Sequence, residues 1–158
     1  MSGDRDVQDG LPVGAVSRPR TPTEPSPLLE ALGGGQFLEF ESENKTAKMT
    51  FNALEAFCHS GGVVQGGFVT GWLDSAMAHA VLSATEGALA PSSLEIKVNF
   101  LKATPPGAVI AEGWIQHLGR SIAFLEGRLT NESGEVLATA SSTAKLVPTN
   151  REVPHATP

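Results

Sequence analysis

The chain has 158 residues, 41% of them hydrophobic, a formal net charge of −6 and one cysteine, Cys58. That length fits one globular domain, the acidic balance works against a nucleic-acid partner, and no apolar run reaches the ~18 residues of a membrane span. One cysteine excludes an internal disulfide and suits a reducing cytoplasm, and the acidic start MSGDRDVQDG lacks the apolar core of a signal peptide.

Residues 1–26 are polar and proline-rich and are expected to form a disordered tail, as is 148–158, which leaves 27–147 as the folded domain. The first element is a short helix, SPLLEALGG, with Ser26 as N-cap, Pro27 at its first position and Gly33 as its stop. Two strands follow, QFLEFESE and TAKMTFN, turned at Glu43-Asn44-Lys45. Ala47, Met49 and Phe51 alternate with polar residues, which predicts a half-buried antiparallel hairpin.

Four glycines then fall within seven positions, Gly61, Gly62, Gly66 and Gly67, ahead of FVTGWLDSAMAHAVLSA. Apolar residues at 69, 72, 73, 76, 77, 80 and 81 make a helical stripe, and small flanking residues predict a helix embedded against a sheet. Gly87 and Pro91 end it. SLEIKVNFLK, AVIAEGWIQHL, SIAFLEGRLTN and EVLATASSTAKLV read as four strands of an antiparallel meander, with Leu94, Ile96, Val98 and Phe100 on one face of the first. The expected fold is α+β: a curved antiparallel sheet wrapped around one long central helix.

The glycines and the acid carry the chemistry. Glycines at a helix entry leave backbone N–H groups uncovered at the positive end of the helix dipole, where they stabilise a carbonyl oxygen gaining charge. Their alternative use is a tight turn. Asp74 is a carboxylate on a mostly apolar helix, costly unless paired or used. Gly66 and Asp74 are eight residues apart, about 12 Å along the helix. One reacting carbonyl hardly reaches both within a single chain, so a catalytic use of both requires a homodimer.

The segment His59-x-x-Gly62-x-x-Gln65-Gly66-Gly67-x6-Asp74 resembles the signature of hotdog-fold acyl-CoA thioesterases of the PaaI-like branch, Asn-x-x-Gly-x-x-His-Gly-Gly-x6-Asp. SSLEIKVNFLKATPPG and HLGRSIAFLEGRLTNESGEVLATASSTAKL are similar to that family's strands, so the likeness covers about residues 36–146. It implies hydrolysis of an acyl-CoA or related pantetheine thioester. The Gly66 N–H would hold the thioester oxygen, and Asp74 of the partner would act as nucleophile or general base. Ser93 would position the water, and Gly67, Arg120 and Ser121 would contact coenzyme A. Coenzyme A enters as part of the substrate, with no separate cofactor and no metal. The assembly implied is a homodimer, extended to a tetramer as a dimer of dimers.

This chain departs from that signature at His59, where the family has Asn (Gln in an aryl-CoA branch), and at Gln65, where it has His. Either side chain still donates a hydrogen bond. Ala78 stands where a Thr often follows the acid. Two rival functions stay open: a hotdog dehydratase or hydratase using His59 with Asp74, and a non-catalytic acyl-CoA-binding module. Cys58 and His59, adjacent on extended backbone, point apart and make a poor nucleophile pair. His79 is expected at a core or interface, and Trp72 and Met77 in the core.

Overall fold

The computed structural model describes residues 26–149. The expected tails lie outside these residues except for Ser26, Pro148 and Thr149. Helix α1, Pro27–Ala31, starts as its sequence dictates: the Ser26 hydroxyl accepts the Leu29 N–H at 3.4 Å and Pro27 supplies a preset φ. Gly33, at φ +91°, turns the chain out of it. Strands β1 (Gln36–Glu41) and β2 (Thr46–Ala53) form the expected hairpin, closed with Lys45 in the left-handed region at φ +49°, but only β2 is half-buried: β1, at the sheet edge, is exposed except at Phe40. A 3-10 turn, Glu55–Phe57, separates it from the glycine-rich loop.

Helix α2 runs from Gly66 to Ala84, and each of the seven stripe residues from Val69 to Val81 is buried. Gly87 turns the chain at φ +79°. Strands β3 (Leu89–Phe100), β4 (Gly107–Leu118), β5 (Ile122–Asn131) and β6 (Val136–Pro148) complete one antiparallel sheet in the order β1-β2-β4-β5-β6-β3. Only β4, β5 and β6 form the expected meander. Helix α2 carries the chain across the sheet, so β3 joins at the far side against β6, and β2 pairs directly with β4.

The edge position of β3 explains two differences from the sequence pattern. Pro91 does not end the helix, which stops at Ala84, but lies within β3, where an edge strand tolerates a missing N–H. The alternation of Leu94 to Phe100 buries only half of its apolar set. Ile96 and Val98 are half-buried, whereas Leu94 is 61% and Phe100 56% exposed. A register shift between Ser93 and Glu95 makes Leu94 a bulge.

The core lies between α2 and one face of the sheet. Small residues at its centre let the helix approach closely, above all the cross-strand pair Gly113 and Gly127. A Cβ on Gly113 would stand 2.3 Å from the Met77 backbone nitrogen. Trp72 is fully buried, and its indole N–H donates to the Leu32 carbonyl at 2.7 Å, tying α1 to α2. Among the described residues no helix is long and apolar enough to cross a membrane.

Candidate active site

The loop before α2 is folded by its own short hydrogen bonds. Cys58 and Val64 form an isolated antiparallel bridge, the His59 N–H donates to Val63, and the Gly62 N–H donates back to His59. Gly62 needs its φ of +71° for this reversal. The reversal brings the Gly61 N–H onto His59 Nδ1 at 3.1 Å. A nitrogen that accepts a backbone N–H carries no proton, so the neutral ring holds its hydrogen on Nε2.

Gln65 is the N-cap of α2, in extended backbone, and its side-chain oxygen accepts the Gly67 N–H at 2.7 Å. That bond leaves the Gln65 NH2 free to donate. The Gly67 N–H is thereby occupied, whereas the Gly66 N–H has no hydrogen-bond partner among the described residues. The Phe100 ring closes over Gly66; a Cβ there would sit 2.9 Å from its tip.

These groups face one cleft of about 470 Å3. His59, Gln65 and Gly66 line its polar side, and Val63, Val69 and Phe100 contribute to its apolar wall. Thr104 lines it too, and its carbonyl accepts the Val64 N–H at 2.9 Å. The single chain thus presents a row of hydrogen-bond donors at a helix N-terminus, which suits a carbonyl oxygen that gains charge.

Asp74 does not line this cleft. It lies two turns further along α2, half-buried, and one of its oxygens accepts the Ser93 hydroxyl at 2.8 Å. The β3 bulge lies immediately beyond Ser93. Arg120 and Ser121 are exposed in the β4–β5 turn, also away from the cleft, where the Ser121 carbonyl accepts the Leu146 N–H. The sequence-predicted residues therefore divide into three groups: a donor cleft, an acid with its serine, and a basic turn.

Residues outside that set stand as follows. Cys58 Sγ lies 3.8 Å from the Leu54 carbonyl and His59 Nδ1 is engaged with Gly61, so they form no nucleophile pair. His79 Nδ1 donates to the Ser75 carbonyl at 2.7 Å and its ring stacks on Phe37. Met77 and Trp72 are fully buried. Phe100 and Thr104 were not predicted at the site. Phe100 reads as an ordinary strand residue, and Thr104, before two prolines, carries no local signal at all.

Comparison with known proteins bears on this arrangement. The family model described as the Thioesterase superfamily matches residues 61–138, from the glycine-rich loop into β6. By that match the chain carries a thioesterase-superfamily domain. Its fold is the hotdog, and among solved structures this thioesterase-superfamily domain is similar to the phenylacetic acid degradation-related protein of Ralstonia eutropha JMP134. They share 26% identity over 77% of this chain and 92% of that one, with a TM-score of 0.71. The Escherichia coli PaaI protein, at 18% identity, covers 75% of this chain and 83% of its own with a TM-score of 0.68. A Streptococcus mutans protein bound to acetyl CoA, at 19% identity, covers 74% and 91% with a TM-score of 0.65. The chain stands with the PaaI-like branch. Comparison with curated proteins finds no match.

Proposed function

We propose that the chain hydrolyses an acyl-CoA, or a related pantetheine thioester, at a site completed by a second copy of itself. The observation that carries this is the division within α2. Its N-terminal donors line a cleft that Asp74 does not reach, although both belong to one helix. The thioesterase-superfamily domain supports the reaction class, and the acetyl CoA held by the Streptococcus mutans protein supports the ligand.

Strand β3 supplies the route to a complete site. It is an edge strand of 12 residues, with Leu94 and Phe100 largely exposed, and such an edge invites pairing with another strand. Ser93, bonded to Asp74, lies toward one end of β3, and Phe100, over Gly66, at the other. Antiparallel pairing of two β3 strands near Lys97 sets Ser93 of one copy beside the Phe100 region of its partner. Each Asp74 then serves the partner's cleft, and a two-fold axis gives two equal sites.

In that site Gly66 N–H, helped by Gln65 or His59, polarises the thioester carbonyl. Asp74, with one oxygen held by Ser93 and the other without a partner among the described residues, attacks the carbonyl carbon or takes a proton from the attacking water. The acyl–sulfur bond breaks and the coenzyme A thiolate leaves and is protonated; water gives the free acid, either as the attacking nucleophile or by cleaving the acyl–Asp74 anhydride that direct attack forms. Arg120 and Ser121 contact the coenzyme A moiety, and a tetramer forms from two such dimers. The single cysteine suits the cytoplasm for this activity.

Asp74→Ala should abolish thiol release from acyl-CoA while the dimer stays folded; undiminished turnover would sink the assignment. Thiol release absent across short, medium, long and aromatic acyl-CoAs, with binding retained, would instead mark a binding module. The shared site has its own test. Asp74→Ala and Gly66→Val, each inactive alone, should regain about a quarter of wild-type activity when refolded together, because half the dimers then hold one intact site.

A further inference from the structure

We infer that the acyl group this cleft accepts carries a second, acceptor-only oxygen beside the thioester carbonyl, as in a 3-oxoacyl thioester. This inference rests on the thioesterase reading and names its substrate class.

The cleft holds more donors than one thioester oxygen can use. Two of its side chains have their acceptor atoms taken by backbone N–H groups: His59 Nδ1 by Gly61 at 3.1 Å, and Gln65 Oε1 by Gly67 at 2.7 Å. His59 has only its N–H left to offer, and Gln65 has its NH2 together with the second lone pair of its oxygen. The Gly66 N–H adds another donor. A carbonyl oxygen has two lone pairs, so Gly66 and one neighbour saturate the thioester oxygen. The remaining side-chain donor needs a different acceptor.

Thr104 adds an independent observation. It is 4% exposed, lines the cleft, and its hydroxyl has no hydrogen-bond partner among the described residues. Every fully enclosed side-chain oxygen among those residues has a partner, so this hydroxyl keeps a small exposure, on a residue that lines the cleft. A nearly buried, unbonded hydroxyl beside surplus donors marks a place for a polar group of the ligand, because leaving it unpaired is costly.

The chemistry of the lining selects which polar group. A hydroxyl on the acyl chain brings its own proton, and among the described lining side chains only Thr104 Oγ1 and the second lone pair of Gln65 Oε1 are left to receive it, fewer acceptors than the cleft has donors. A carboxylate would be acceptor-only but charged. Lys102, the cation among the lining residues, is held by Glu135, and the neighbouring wall of Val63, Val69 and Phe100 penalises an unpaired charge. A ketone oxygen accepts without donating and carries no charge. At the 3-position it lies one methylene from the thioester carbonyl, within the same row of donors.

The test compares kcat/KM for 3-oxohexanoyl-CoA, 3-hydroxyhexanoyl-CoA and hexanoyl-CoA, equal in chain length, in the wild type and in Thr104→Val and Thr104→Ser. The wild type should prefer the 3-oxo substrate over hexanoyl-CoA by roughly tenfold or more. Thr104→Val should shrink that ratio about threefold or more, chiefly through KM for the 3-oxo substrate, and Thr104→Ser should retain it. The ratio cancels a general loss of stability, and Thr104→Ser covers the case in which Thr104→Val fails to fold. Hexanoyl-CoA hydrolysed as well as its 3-oxo analogue, or a ratio unmoved by Thr104→Val, overturns the inference and leaves the thioesterase reading standing. Hydrolysis of none of the three, nor of any other acyl-CoA, overturns both.

Discussion

Single residues set the chemistry through what their partners leave free. Glycines at 61 and 62 fold a loop that occupies one nitrogen of His59, and Gly67 occupies the oxygen of Gln65. The departures at His59 and Gln65 therefore keep donors in the cleft. Ser93 acts likewise on the acid, fixing one oxygen of Asp74 through a 2.8 Å bond. If Asp74 is the reacting group as proposed, Ser93→Ala should lower kcat about tenfold with KM little changed, since the bond that fixes this carboxylate is lost while the cleft stays intact. Steady-state kinetics with Ser93→Thr as the rescuing variant measures this, and an unaltered kcat in Ser93→Ala would deny the role. Gln65→Ala removes the N-cap and should destabilise the fold by about 1 kcal/mol, read in urea denaturation, together with a fall in kcat/KM.

At the scale of elements, the decisive contact is between α2 and the middle of the sheet. Gly113 and Gly127 face each other across β4 and β5 where Met77 and Leu73 descend from the helix. A Cβ at Gly113 meets helix backbone, which cannot rotate aside as a side chain does, so Gly113→Ala should cost about 3 kcal/mol. The urea midpoint should fall accordingly. Gly66→Ala meets only the movable ring of Phe100 and should spare stability while obstructing the cleft. Strand β3 differs from the other long strands because it has only one neighbour. Its apolar alternation is that of a buried strand, yet Leu94 and Phe100 stand exposed at the edge. That mismatch is what a second copy would relieve.

Over the whole molecule, the face of the sheet opposite α2 carries the charges. Glu112 on β4 stands between Lys48 and Arg128, and Lys48 also pairs with Glu39 at 2.8 Å. Burial pushes the Glu112 carboxyl up, but Arg128 and then Lys48 outweigh it and hold the group below its ordinary value near 4.5. A carboxylate whose folded pKa is depressed stabilises the fold above its unfolded pKa, and that stabilisation is lost as pH falls through the folded value. Glu112→Gln should therefore lose stability near neutral pH and show a flatter decline below about pH 4.5 than the wild type. Thermal melts from pH 7 to pH 3 check this, and parallel curves would remove Glu112 from the acid response.

What the sequence by itself determined is local or periodic, though the alternation of β3 misled at its exposed edge. Helix α2 and its buried stripe follow from a 3.6-residue repeat, the β1–β2 hairpin from alternation and a turn, and α1 from a cap, a proline and a glycine. The separation of Gly66 from Asp74 follows from helical rise alone. Tertiary structure decided what depends on contacts between distant segments. Strand order is one case: nothing within β3 says that it pairs with β6 rather than β4, because an apolar alternation fits any neighbour. Thr104 and Phe100 at the cleft are another, since they reach Val64 and Gly66 only once β3 has paired with β6 at the sheet edge. The free atoms of His59 and Gln65 are the third. A residue type states which hydrogen bonds it can make, and only the folded loop states which of them are already taken.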